Sequence, residues 1–273
     1  MKLPFLETMI TQVCNLSCYG CTNYSDLTHS GYVSWDEGEE QLQEWLKKIE
    51  IEEFGIMGGE PLINPEVDKW LIGTRRIISG RIRFTTNGEL LHKHMHVVDL
   101  AHQLGNVVFK ITVHRNDDLL ENTINQIFDM YNWEPVTEFG INRYKTTNNF
   151  RFQINRPTTF LKTYKNNYEN MMPYDSDPNE AFKICVQQKC PLLYKGKIYK
   201  CSTAGLLKDL LTRFNWPNKQ LWEKYIDKGI SPGDSDETIK KFIDSFGKAN
   251  LICGQCPEEK EAKINHILNV IKK

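Results

Sequence analysis

The feature that most constrains this chain is a fourfold alternation of short β-rich runs with helical patterns, complete by residue 131. Strands are expected over Phe5–Val13, Glu53–Met57, Arg81–Thr86 and Val107–Val113. After the first strand, Ser34 and Glu37 have the spacing of a capping box, and Leu42, Trp45, Leu46 and Ile49 recur on one helical face. Asn64-Pro65 reads as an N-cap with proline at the first helical position, opening a helix that ends near Gly80. Further helices are expected over Glu89–Leu104, stopped by Gly105, and over Asp118–Tyr131. Such alternation implies right-handed crossovers and a parallel sheet or barrel, hence an α/β fold. Ligands in these folds sit at the C-terminal ends of the strands. Three unusual motifs fall there: Cys14 after the first strand, Gly58-Gly59 after the second, and Thr86-Asn87-Gly88 after the third.

Beyond residue 150 the alternation fades. Phe150–Ile154 reads as a strand, and the turn-rich run Pro173, Asp175, Ser176, Asp177, Pro178 marks a boundary. Leu192–Lys200 reads as a β-hairpin turning at Lys195-Gly196. Helices are expected over Leu206–Phe214, Lys219–Ile226 and Glu237–Phe246, and a last one from Pro257 with Ile264, Ile267, Leu268 and Ile271 on one face. The organisation expected is a barrel over residues 1–180 and a small α+β unit with a closing helix over 181–273.

Eight of the 273 residues are cysteine. The N-terminus has no apolar signal core, and no run approaches the ~18 apolar residues of a membrane helix. A cytoplasmic location, no membrane partner and reduced thiols are therefore expected, which favours metal ligation over disulfides. Lys plus Arg is 34 and Asp plus Glu is 35, so the chain is no polycation, and nucleic-acid binding is not expected without a local patch.

Cys14, Cys18 and Cys21 place three soft ligands within eight residues. Three thiolates can hold three corners of a cubane iron–sulfur cluster and leave one iron open. His29 is available as a fourth ligand, so a closed zinc site stays open as a reading.

The spacing Cys14-x3-Cys18-x2-Cys21 resembles that of the radical S-adenosylmethionine (radical SAM) enzymes. The resemblance extends to Gly58-Gly59-Glu60-Pro61, which in that family contacts the SAM amino group, and to Thr86 and Asn87, which line its pocket. Thr112 on the fourth strand stands where the family often places a hydroxyl near the ribose or carboxylate. Family members carry an aromatic residue just before the third cysteine, where its backbone meets adenine; here Gly20 stands there and Tyr19 one position earlier. The resemblance implies a partial (β/α)6 barrel. It also implies a [4Fe–4S] cluster on Cys14, Cys18 and Cys21, the catalytic set, whose open iron binds SAM. Reductive cleavage then gives a 5′-deoxyadenosyl radical that abstracts hydrogen from a small-molecule or peptide substrate.

A second set comprises Cys185, Cys190, Cys201, Cys253 and Cys256. Cys185-x10-Gly196-x4-Cys201, with the later Cys253-x2-Cys256, resembles the shortened, twitch form of the SPASM extension. That resemblance implies one auxiliary [4Fe–4S] cluster, needing four of the five thiols, and an electron donor such as a flavodoxin or ferredoxin. A zinc-stabilised nucleic-acid module and a SAM-independent electron carrier are the competing readings. His92 and His96 have the i, i+4 spacing of a helical metal site but read as an exposed face. The basic residues Arg143, Lys145, Arg151, Arg156, Lys162 and Lys165, interleaved with aromatics, suit either an anionic ligand or a solvated strand face.

Overall fold

The computed structural model describes residues 1–136, 143–258, 263–265 and 270–272. Four strand–helix units come first: β1 (Leu6–Met9) and α1 (Trp35–Leu46), β2 (Glu53–Met57) and α2 (Val67–Ile77), β3 (Arg81–Thr86) and α3 (Met95–Leu104), β4 (Val107–Thr112) and α4 (Asp118–Met130). There follow β5 (Glu134–Pro135), β6 (Arg143–Lys145), β7 (Arg151–Asn155), α5 (Pro178–Ile184), β8 (Leu192–Tyr194), β9 (Lys197–Tyr199), α6 (Ser202–Arg213) and α7 (Asp236–Asp244). One nine-stranded sheet runs in the order β9-β8-β1-β2-β3-β4-β7-β6-β5. Strands β8, β1, β2, β3, β4 and β7 are mutually parallel; the two ends of the sheet are antiparallel. The expected six βα units are therefore four among the described residues. The sixth parallel strand is the hairpin strand β8, which joins beside β1 rather than after β7.

Period-two patterning assigns the faces. In β3, Ile82, Phe84 and Thr86 are buried while Arg81, Arg83 and Thr85 are half-buried. Ile82 and Phe84 join Phe54, Ile56, Phe109, Ile111 and Phe152 in a core covered by Leu42, Trp45, Trp70, Val98, Ala101 and Ile124 of the helices. The other face is lined by polar side chains. Lys110 on β4 is electrostatically coupled to Glu7 on β1.

Several expectations are corrected. The closing helix is not seen: Lys263–Asn265 and Val270–Lys272 are strands, paired antiparallel with Thr159–Leu161 and Leu16–Cys18. Backbone edges left open by those two segments accept partners, which outweighs the helical spacing of the apolar residues. Ile267 and Leu268 lie outside the described residues. Asn64 caps the turn that leads into α2, its Oδ1 accepting from the Glu66 amide at 2.8 Å, but the helix itself begins only after Glu66; its side-chain amide also donates to the carbonyls of Ile10 and Val33 (2.9 and 3.0 Å). The helix expected from Glu89 is split into a 3-10 turn at Leu91–Lys93 and α3, so His92 and His96 do not share one helical face.

The hairpin forms as read. Lys195 and Gly196 take positive φ (50° and 76°), the pair a two-residue primed turn requires. The boundary at residue 180 does not separate two cores. Leu193, Ile198, Ile230 and Ile239 belong to the sheet's main core. Met9 and Met57, at the C-terminal ends of β1 and β2, instead pack with Leu206, Leu207, Leu210 and Leu211 of α6 and with Trp222 and Tyr225. The C-terminal segment thus covers the rim of the sheet. Among the described residues, no helix is long and apolar enough to cross a membrane.

Candidate functional site

A cavity of about 220 Å³ opens at the C-terminal rim. Cys14, Cys18 and Cys21 line it, together with Gly58, Gly59, Thr86, Asn87 and Thr112. The motifs after four successive strands therefore meet around one space. The elements between them explain how. Beyond β1 the chain stays paired to the loop after β2: Gly59 donates to the Thr11 carbonyl and Glu60 to the Val13 carbonyl, both at 2.8 Å. A Cβ on Gly59 would stand 2.4 Å from the Val13 oxygen. Glycine is required here for the approach of the cysteine loop's own backbone, so its first role is internal.

Glu60 is engaged within the protein. Its carboxylate is fully buried and accepts from Thr86 Oγ1 (2.7 Å), the Asn87 amide (2.8 Å) and the Leu62 amide (3.1 Å). Burial pushes its carboxyl up to about 7, against those three hydrogen bonds. It is a strap between the loops after β2 and β3. Pro61 opens the short 3-10 turn beside it and is also buried. Asn87 continues the tie: its amide donates to Asn15 Oδ1 at 2.8 Å and meets Cys14 Sγ at 3.7 Å. Tyr19 and Gly20 are not among the residues lining this cavity. Tyr19 is 46% exposed and its hydroxyl accepts from Lys162 at 2.9 Å, while Gly20 turns the chain at φ 78°.

The three thiols are mutually close. Burial pushes the Cys18 thiol up, and the neighbouring Cys21 and Cys14 push it further. Cys21 is raised by burial and by Asp26. Among the described residues, no three Cys, His, Asp or Glu side chains converge as a single-ion site requires; the thiols instead border a cavity. His29, the alternative fourth ligand, has a ring nitrogen 2.9 Å from the Tyr24 carbonyl.

The second cysteine set divides. Cys185 follows α5, Cys201 precedes α6, and Cys253 and Cys256 lie in and after the 3-10 turn Leu251–Gln255. Burial pushes the Cys201 thiol up to about 12, and Cys185 and Cys253 add to it. Cys256 is raised by burial, then by Cys201, Cys185 and Cys253. Four thiols thus sit in one another's field. Cys190 differs: burial raises its thiol, then Glu7, while Arg83 and Lys110 of the sheet lower it, and Cys201 is the one thiol among its named neighbours.

Sequence reasoning missed Thr22, Asn23, Ser25, Asp26, Met57, His114 and Phe160, which also line the rim cavity. Met57 was findable, as the inward-facing last residue of β2. Phe160 was not, since its strand Thr159–Leu161 pairs with the distant Lys263–Asn265 rather than with the main sheet.

A mostly parallel α/β sheet with a thiol-lined cavity at its C-terminal rim is the frame for the comparisons. The family model of the Radical SAM superfamily matches residues 8–139. A probable GTP 3′,8-cyclase of Aeropyrum pernix is 34% identical over 97 residues, covering 33% of this chain and 26% of that protein. A GTP 3′,8-cyclase of Synechocystis is 30% identical over 126 residues, covering 42% and 38%. The matched region thus spans well under half the length of these curated relatives. A crystal structure of BtrN in complex with AdoMet and 2-DOIA superposes with a TM-score of 0.50 at 14% identity, covering 95% of this chain and 97% of that one. This last likeness bears on the fold alone.

Proposed function

We propose that this protein is a radical SAM enzyme that binds SAM and a [4Fe–4S] cluster in the rim cavity and acts on a small-molecule or peptide substrate. The observation that carries the reading is the meeting of Cys14, Cys18 and Cys21 with Gly58, Gly59, Thr86, Asn87 and Thr112 around one space. Three soft donors and a neighbouring cavity suit a cluster with an open iron better than a closed zinc shell. When bound, such a cluster supplies the electron for reductive cleavage of SAM, and the chemistry belongs to the cofactor.

The chain's own residues hold, orient and shield. Cys14, Cys18 and Cys21 would hold the cluster, and the Asn87 amide beside Cys14 Sγ would orient the first of these ligands. Glu60 fixes the loops after β2 and β3 relative to each other. The Leu206–Leu211 face of α6, packed on Met9 and Met57, excludes water from that side. Cys185, Cys201, Cys253 and Cys256 are proposed to hold an auxiliary [4Fe–4S] cluster in a twitch-like unit, with the partial barrel open beneath it. A flavodoxin or ferredoxin is the proposed electron donor.

The test is anaerobic reconstitution with iron and sulfide, followed by incubation with SAM and dithionite. Formation of 5′-deoxyadenosine, even slowly and without substrate, is the expected result. Its absence from cluster-loaded protein would overturn the reading.

A further inference from the structure

We propose that Gln187 is a positioning residue that keys the three-cysteine loop to the second cysteine set, so that filling the second set fixes the geometry of the first. The inference rests on the two cluster sites proposed above. The Gln187 side chain stands between them. Its Nε2 donates to Thr22 Oγ1 at 3.1 Å and to Ser202 Oγ at 2.6 Å. The Thr203 hydroxyl proton is shared between Gln187 Oε1 and the Thr22 carbonyl, each 3.4 Å away. Thr22 directly follows Cys21, and Ser202 and Thr203 directly follow Cys201.

The main chain of the same residue reaches two further thiols. The Gln187 amide donates to Cys185 Sγ at 3.3 Å, and its carbonyl accepts from the Cys190 amide at 3.3 Å. Tyr24 marks the same meeting of the two sets. Its amide donates to the Cys21 carbonyl at 3.0 Å, and its buried side chain lies in the field of Cys256 and Cys201.

Two features make this a coupling rather than packing alone. Ser202 and Thr203 are buried at the start of α6, so the hydroxyls that hold Gln187 are fixed by the helix. Residues 185–191, by contrast, belong to no helix or strand. Ligation of Cys185 therefore adds a constraint which that segment otherwise lacks. Releasing Cys185 loosens Gln187, and with it the hold on Thr22, which lines the rim cavity. Such coupling is reciprocal, so ligand in the rim cavity also favours metal on the second set.

A double-mutant cycle on reconstituted full-length protein tests this. Wild type, Gln187→Leu, Cys256→Ser and the double variant are compared by SAM affinity in calorimetry, by amide hydrogen exchange of residues 18–24, and by iron content. Gln187→Leu should keep about eight irons, four per cubane, yet bind SAM at least about fivefold more weakly and exchange faster over residues 18–24. Cys256→Ser should do the same with less iron, and the double variant should lose no more than either alone. Thr22→Val should match Gln187→Leu, and Thr22→Ser, which restores the hydroxyl, should match wild type. Thermal melting of each variant separates lost coupling from lost fold. Wild-type exchange and affinity in Gln187→Leu overturn the proposal, as do fully additive losses in a folded double variant. If Cys256→Ser does not fold, the iron-loaded Gln187 and Thr22 variants decide alone. Failure of wild type to bind SAM would overturn the radical SAM reading, while the exchange data still decide this one.

Discussion

The two cysteine sets are built in opposite ways. Cys14, Cys18 and Cys21 lie on one loop, and short-range turns place them, such as the Cys21 amide donating to the Cys18 carbonyl at 3.0 Å. Cys185, Cys201, Cys253 and Cys256 come from three separate segments, gathered by the packing of α5 and α6 around the turn at Leu251–Gln255. A local set exists as soon as its loop does. A distributed set exists only once tertiary structure has formed, so the proposed auxiliary cluster and the fold would support each other there.

The sharpest way to break this comparison is to remove one ligand from each set. Cys14→Ala should abolish 5′-deoxyadenosine formation while leaving the unfolding curve close to wild type. Cys256→Ala should instead lower the melting temperature of the reconstituted protein, because the metal ties distant segments together. Equal loss of stability in both would erase the distinction. Next comes metal content. Wild-type protein should carry about eight irons, four per cubane. Cys190→Ser should keep that number and Cys185→Ser should fall toward half of it. An iron loss in the Cys190 variant would show that the fifth thiol ligates after all.

Smaller effects probe what frames the local set. Glu60→Ala leaves the Leu62 and Asn87 amides and the Thr86 hydroxyl without their buried acceptor. A loss of about 2–4 kcal/mol is expected in urea unfolding. The smallest is a pH effect. Burial holds the Glu7 carboxyl up at about 7, against an ordinary value of 4.5. Between these values the unfolded chain has released a proton that the folded chain keeps. This contribution is therefore full below about 4.5 and is lost as pH rises toward 7. Glu7→Gln should flatten the decline by up to about 1.4 kcal/mol per pH unit, read from unfolding midpoints between pH 5 and 7.

Legibility followed the same divide. The four βα units, the hairpin turn and the three-cysteine loop were readable because periodicity and spacing are local. The choice of four thiols among five was not. Cys190 and Cys185 look equivalent along the chain, and only the folded chain sets Cys190 in the field of Glu7, Arg83 and Lys110 as well as of Cys201. The hydrogen bonds of Glu60 were hidden for a related reason. Its motif marks the rim, but burial and three donors make its carboxylate a strap. The closing helix failed because Lys263–Asn265 and Val270–Lys272 pair as strands with edges far away in the sequence.

The pairing of β8 with β1 has a consequence for how the chain is made. Leu192 and Leu193 must find Glu7 and Thr8 across some 185 residues. Until the ribosome has delivered that hairpin, one side of β1 presents bare amides and carbonyls to the cell, although β2 already covers the other. Contacts of such sequence separation form late, and an uncovered strand edge invites other chains. Expression at lower temperature, or with chaperones, should therefore raise the soluble yield more for this protein than for one whose sheet closes in sequence order.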